Sequence, residues 1–216
     1  MKKTHKMRKI MLALFSAMLL VCVTVGATVA YLTSTDEVVN TFTVGNVQIK
    51  LDEAKANPDG TLVANADRVK ANSYKLLPGH TYNKDPMVTV LKGSESCYVK
   101  MTVTFSNADA LDAIFAPNGG ADMTKIFNGY DSANWTYKGN TETANTRTYE
   151  FWYKEAVAAP TADVALDALF DSITVPDFID NDQLATIAGM TITVNAYAIQ
   201  ADGFANAEAA WAAYGA

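Results

Sequence analysis

The sequence predicts a mostly β protein: two antiparallel sheets packed face to face, with a few short helices at the periphery. Two runs carry that prediction. Residues 97–106 alternate apolar and polar side chains without error, and residues 190–198 repeat the pattern. Strict period-two alternation marks strands with one buried face. Turn signals between such runs, and the shortness of every helical pattern, complete the case.

In chain order, a leader comes first. Lys2, Lys3, Lys6, Arg8 and Lys9 precede 21 uncharged residues, 10–30, and the first part of that stretch is almost wholly apolar. Small residues follow at Gly26, Ala27, Thr28 and Ala30. A basic start, an apolar middle and a small-residue end form the pattern of a signal peptide. The expected cut follows Ala30 and makes Tyr31 the first mature residue; a cut after Ala27 is the second choice. The alternative is an uncleaved anchor, because the uncharged stretch is just long enough to span a bilayer. A lipid-modified Cys22 is discounted, since the branched Val21 stands where a small residue is needed.

Without the leader, 12 Lys and Arg face 23 Asp and Glu, so the formal charge is −11 rather than −6. Such a surface repels nucleic acid and anionic lipid. Neither is an expected partner, and membrane contact is expected only through the leader before cleavage. Residues 31–216 suit one secreted domain. Only Cys97 remains in it, so no intramolecular disulfide forms and stability must come from the core.

The first mature strand changes phase. Phe42 and Val44 set one face; Val47, Ile49 and Leu51 set the other, and the slip at Gly45-Asn46 reads as a β-bulge or a tight bend. Residues 52–73 are polar and unpatterned, as in a long loop or a poorly ordered insert. Asn57-Pro58-Asp59-Gly60 is a strong turn, and Leu77-Pro78-Gly79-His80 fits type II. Residues 87–91 give a short strand. On the long strand, Cys97, Val99, Met101, Val103 and Phe105 share the apolar face, which makes Cys97 a buried structural thiol. Residues 108–115, after Asn107, form a short helix. Residues 148–154 place Tyr149, Phe151 and Tyr153 on one side, with Trp152 opposite in cross-strand packing. A strand at 170–175 and a helix at 180–186 follow. After the second alternating run, residues 207–214 form an Ala-rich helix capped by Asn206, with Phe204, Trp211 and Tyr214 on its docking face.

Residues suited to chemistry are few. His80 is the only histidine after the leader and sits beside a Pro-Gly turn. Two histidines around a glutamate on one helix face are absent, as is a Gly-x-Ser-x-Gly elbow. Asp177, Asp180 and Asp182 cluster near Asn181, but the Gly and Glu of a calcium loop do not follow at the required steps. A solvated loop is the better reading. No catalytic residue, metal ligand or cofactor is expected.

Two stretches carry a resemblance. Gly26-Ala-Thr-Val-Ala-Tyr-Leu-Thr-Ser-Thr-Asp-Glu, followed by Asn40-Thr-Phe-Thr-Val-Gly-Asn-Val-Gln-Ile-Lys-Leu, resembles the start of the TasA/camelysin family. Leu76-Leu-Pro-Gly-His-Thr-Tyr and Ile192-Thr-Val-Asn-Ala-Tyr-Ala-Ile-Gln-Ala-Asp-Gly-Phe extend it. The resemblance implies a jelly-roll-like β-sandwich, secreted by Gram-positive bacteria and cleaved by a SipW-type signal peptidase. It implies an extracellular matrix or cell-surface protein, with biofilm fibres as the form of the best-known members. It further implies a homopolymer in which an N-terminal segment is donated to the next subunit's sheet. Here that segment spans Tyr31 to Leu51, with Phe42, Val44, Val47, Ile49 and Leu51 as the candidate donor strand. A half-apolar extended segment adds readily to an open sheet edge, and head-to-tail repetition gives an open filament. An ordinary first strand kept within its own domain is the alternative. Metalloprotease activity, described for some camelysin relatives, gains no support from a lone His80. A monomeric adhesin using Tyr98 or Trp152 is the remaining class.

Overall fold

The computed structural model describes residues 46–143 and 145–214. The leader, the Ala30–Tyr31 cut, Phe42, Val44 and the slip at Gly45 lie outside the described residues. In chain order the strands are β1 (Ile49–Asp52), β2 (Thr81–Asn83), β3 (Met87–Val90), β4 (Cys97–Ser106), β5 (Phe127–Asn128), β6 (Trp135–Thr143), β7 (Thr146–Tyr153), β8 (Val164–Ala165), β9 (Ser172–Thr174) and β10 (Ile192–Gln200). The helices are α1 (Ala108–Phe115), α2 (Met123–Ile126), α3 (Asn181–Thr186) and α4 (Ala207–Tyr214). The protein is mostly β, and every strand pairing described is antiparallel.

The largest sheet runs β10-β4-β7-β6. β4 lies at its centre and alternates buried and half-buried residues along its whole length. Cys97, Val99, Met101 and Val103 are fully buried there: β10 flanks all four, β7 flanks Met101 and Val103, and Val157 bridges Cys97. Tyr149 and Phe151 of β7 extend the same face. Trp152 points the other way and pairs across the sheet with Lys100 and Thr136, as cross-strand packing requires.

The expectation of two sheets needs correction. Two further sheets, β1-β3-β8 and β2-β9-β5, share one hydrophobic core with the large one. The chain leaves one small sheet for the other at Lys84-Asp85-Pro86, between β2 and β3. Pro86 has no N–H to give a ladder, so pairing stops there and restarts with new partners. Val88 and Val90 of β3 and Tyr82 of β2 still face the common core.

Beyond Asp52, which ends β1, residues 53–73 form the long loop expected, and it is tied down rather than poorly ordered. Bridges join Glu53 to Val69 and Ala56 to Leu62. The turn at Asn57 closes with Gly60 N–H donating to Asn57 O at 2.9 Å. Gly60 has φ +88, and a Cβ there would stand 2.7 Å from Thr81 O and Tyr82 Cα, so only glycine fits.

Shorter expectations shift by a residue or two. The run at 190–198 becomes Ile192–Gln200, and 148–154 becomes Thr146–Tyr153. Asp180 serves as the N-cap of α3, and its carboxylate accepts the Gln183 N–H at 2.8 Å in a capping box. One member of the acidic cluster is thereby committed to a helix end. Asn206 caps α4 through the Ala209 N–H, and the helix lays Trp211 over the outer face of the large sheet. Lys100 lies 4.7 Å from the Trp211 ring centre, and Lys138 lies 4.1 Å from that of Trp152. Among the described residues no helix is long and apolar enough to cross a membrane.

Candidate functional site

Two features stand out: one edge of the large sheet and a buried charge cluster at its flank. The edge is β10, Ile-Thr-Val-Asn-Ala-Tyr-Ala-Ile-Gln, nine residues with no charge and no proline. Among the described residues no strand pairs with its outer side. The hydrogen-bond phase can be read from its ends. Ser106 N–H donates to Thr191 O, and Ala201 N–H donates to Ser96 O. Odd-numbered residues therefore turn their backbone groups toward β4, and even-numbered ones, from Ile192 to Gln200, present N–H and C=O outward. The inward side chains of Ile192, Val194, Ala196 and Ala198 pack on the core but stay half-buried.

The opposite edge differs. β6 shifts register between Tyr137 and Gly139, where Gly139 has φ +125, and it carries Lys138. Bulges and lysines are devices that blunt an edge against pairing. β10 has neither. Beneath its start lies an apolar slot of about 70 Å³, lined by Leu76, Tyr82, Phe105, Ile187, Met190 and Ile192 among others.

Of the candidate donor strand, Val47, Ile49 and Leu51 fall in or just before β1, all half-buried against the core. β1 pairs with β3, placing Ile49 opposite Val90 and Leu51 opposite Val88. Ile49 and Leu51 thus sit within their own domain's sheet, and Val47 packs against the core just before it. The chain enters the described body at Asn46, whose carbonyl accepts the Glu95 N–H. Ser96 next to it contacts Ala201, so the entry point lies at the Gln200 end of β10.

The charge cluster went unseen in the sequence. Asp52 and Glu53 are buried at the end of β1, and Lys84 is buried after β2. Arg68 Nε meets Asp52 at 2.5 Å and its Nη1 meets Asp85 at 2.7 Å, so one guanidinium spans two carboxylates. Lys50 also reaches Asp52, at 2.7 Å. Burial pushes the Asp52 carboxyl up, but the hydrogen bonds from Lys50 and Arg68 more than offset this and hold it below the usual range. Lys84 Nζ donates to Glu53 Oε2 at 2.5 Å, and Asn72 Nδ2 donates to Glu53 Oε1 at 3.0 Å. Tyr74 is pushed well up, first by burial and then by the Glu53 charge. The only sequence signal was the pair Asp52-Glu53 continuing a strand phase into a region without apolar pattern.

Cys97 is fully buried, and burial pushes its thiol up to about 11. His80 is exposed in its turn, with no carboxylate or thiol group gathered for a metal; among the described residues no cluster of three or more such ligands occurs. Tyr98 and Trp152 line a separate cleft of about 400 Å³ near the start of α4. Lys138 covers one face of the Trp152 ring, and the Trp211 ring centre stands 6.2 Å from it. Comparison with family models, curated proteins and solved structures returns no match to this chain.

Proposed function

We propose that this chain is a secreted structural protein of an extracellular matrix or cell surface, a TasA/camelysin-type fibre subunit with a jelly-roll-like sandwich. It assembles by donating an N-terminal segment to a second copy, after a SipW-type peptidase removes the leader. It is not an enzyme and uses no cofactor. The observation that carries this reading is the β10 edge: nine uncharged residues, outward backbone groups and a half-covered apolar face. An added strand would satisfy those groups and complete the burial. Ile49 and Leu51 already pair inside the domain and Val47 packs against its core, so the donated part narrows to residues 31–45, with Phe42 and Val44 as its apolar face. The adhesin reading is the weaker one, because the rings of Trp152 are occupied by Lys138 and Trp211.

The test compares three proteins by light scattering and electron microscopy: one starting at Tyr31, one starting at Asn46, and one starting at Tyr31 with Ala196→Pro. Position 196 turns its N–H away from β4, so proline there removes an outward donor and leaves the β4 ladder intact. Filaments are expected from the first protein alone. Equal growth by all three, or a stable monomer in every case across concentration and salt, would sink the proposal.

A further inference from the structure

Glu53, Asn72 and Lys84 come from three separate segments and meet in one place. Lys84 is 8% exposed and Glu53 5%. The Glu53 carboxylate holds both partners at once, with one oxygen on the Lys84 amine and the other on the Asn72 amide nitrogen. The amide is oriented by two backbone groups: its Oδ1 accepts the Ala56 N–H at 2.9 Å, and its Nδ2 donates to Ala54 O at 2.8 Å. Arg68 locks the neighbouring Asp52 and Asp85, and Asp85 in turn accepts the Ala54 N–H at 2.6 Å. The Lys84 side chain borders the apolar slot with Tyr74, Leu76 and Tyr82.

We propose that this cluster is a self-crosslinking site, in which Lys84 Nζ forms an amide bond with Asn72 Cγ and ammonia is released. The inference is independent of fibre assembly. A lysine, a carboxamide and a shared carboxylate in a poorly solvated setting are the parts such a reaction needs. The first step hands a proton from the Lys84 ammonium to Glu53 along the hydrogen bond that already joins them. The amine lone pair then attacks Cγ, and the carbonyl electrons move onto Oδ1, where the Ala56 N–H already points. Glu53 gives its proton to Nδ2 and takes one from the new Nζ bond. The Cγ–Nδ2 bond breaks, and the nitrogen leaves with the last proton as ammonium. One C–N bond forms and one breaks, with no oxidant or other reagent. Holding amine, amide and proton carrier together makes the step intramolecular, where effective concentrations are very high. The product joins residue 72 to residue 84 and staples the long insert to β2, in a chain whose described residues contain a single cysteine.

Intact mass spectrometry of the purified, folded protein tests this. The mass is expected to fall short of the sequence by one ammonia, about 17 Da. Tryptic digestion should yield a branched peptide joining Asn72 to Lys84. Lys84→Arg and Glu53→Gln should restore the full mass, and Lys84→Arg should melt roughly 5–10 °C lower, as loss of a loop-closing crosslink predicts. A wild-type protein of full mass after long incubation in the folded state overturns the proposal without any variant. So does a missing ammonia with Lys84 still open to trypsin, which marks a succinimide instead.

Discussion

At the scale of single residues, burial decides reactivity and acid response. Cys97 lies between Gln200 of β10 and Val157, and burial pushes its thiol up to about 11. It should resist a thiol reagent near pH 8 in the native state and react fully once the protein unfolds; rapid native labelling would contradict the buried position. Asp52 is the acid-sensitive counterpart. Its carboxyl is held below its ordinary value of 3.8 by Lys50 and Arg68, which outweigh burial. A group depressed in the folded state contributes stability above its unfolded pKa, and that contribution is lost as pH falls through the folded pKa. Urea midpoints should therefore drop below about pH 4. Arg68→Met should cost about 1.5–3 kcal/mol near neutrality, because it leaves Asp52 with Lys50 alone and takes away the guanidinium that Asp85 shares. The same variant should also lose less further stability on acidification than wild type does. Equal acid sensitivity in the two proteins would show that Arg68 is not the partner that matters.

At the scale of elements, the turns are as decisive as the strands. Gly60→Ala meets backbone on two sides at 2.7 Å and a φ of +88. It should cost at least ~1–2 kcal/mol, read as a lower urea midpoint with an unchanged slope. A neutral result would mean that the turn can slide away from β2. The elements easiest to read in the sequence were those with one buried face and neighbours on both sides, β4 above all. β7, β10, α1 and α4 were legible too, because periodicity survives wherever one side meets the core. β2, β5, β8 and β9 run to two or three residues, too short for a period to show, and β9 was foreseen only through its flanking Phe170 and Val175. β6 was missed because its outer half is polar on both faces and bulged at Gly139. Beyond the Asp52-Glu53 pair at the end of β1, nothing marked the buried cluster of Glu53, Asn72 and Lys84. Its members lie 19 and 12 positions apart in an unpatterned region, and only the tertiary fold unites them.

At the scale of the whole molecule, charge and sheet edges pull in opposite directions. Residues 31–216 carry 23 acids against 12 bases, so copies repel at long range, against the contact that the proposed assembly makes at the β10 edge. Raising salt from about 10 mM to about 150 mM shortens the screening length from roughly 30 Å to roughly 8 Å. Proposed filament growth should accelerate across that range. Slower growth in salt would mean that attraction between opposite charges drives association. The mostly β class was legible in composition and alternation, whereas the division into three sheets was not. It depends on where Pro86 ends one ladder, and a proline's effect on pairing needs the partner strands to be known.

The contrast between the two edges of the large sheet sets a valence. On the proposed assembly, a subunit with one receptive edge, one blunted edge and one donated segment takes part in two attachments, one given and one received. Units of valence two make lines, which neither branch nor gel by themselves. A matrix built from such lines would owe its stiffness to entanglement or to some separate crosslinking agent. Its growth would be directional, and a single capping molecule bound along β10 would stop it at one end.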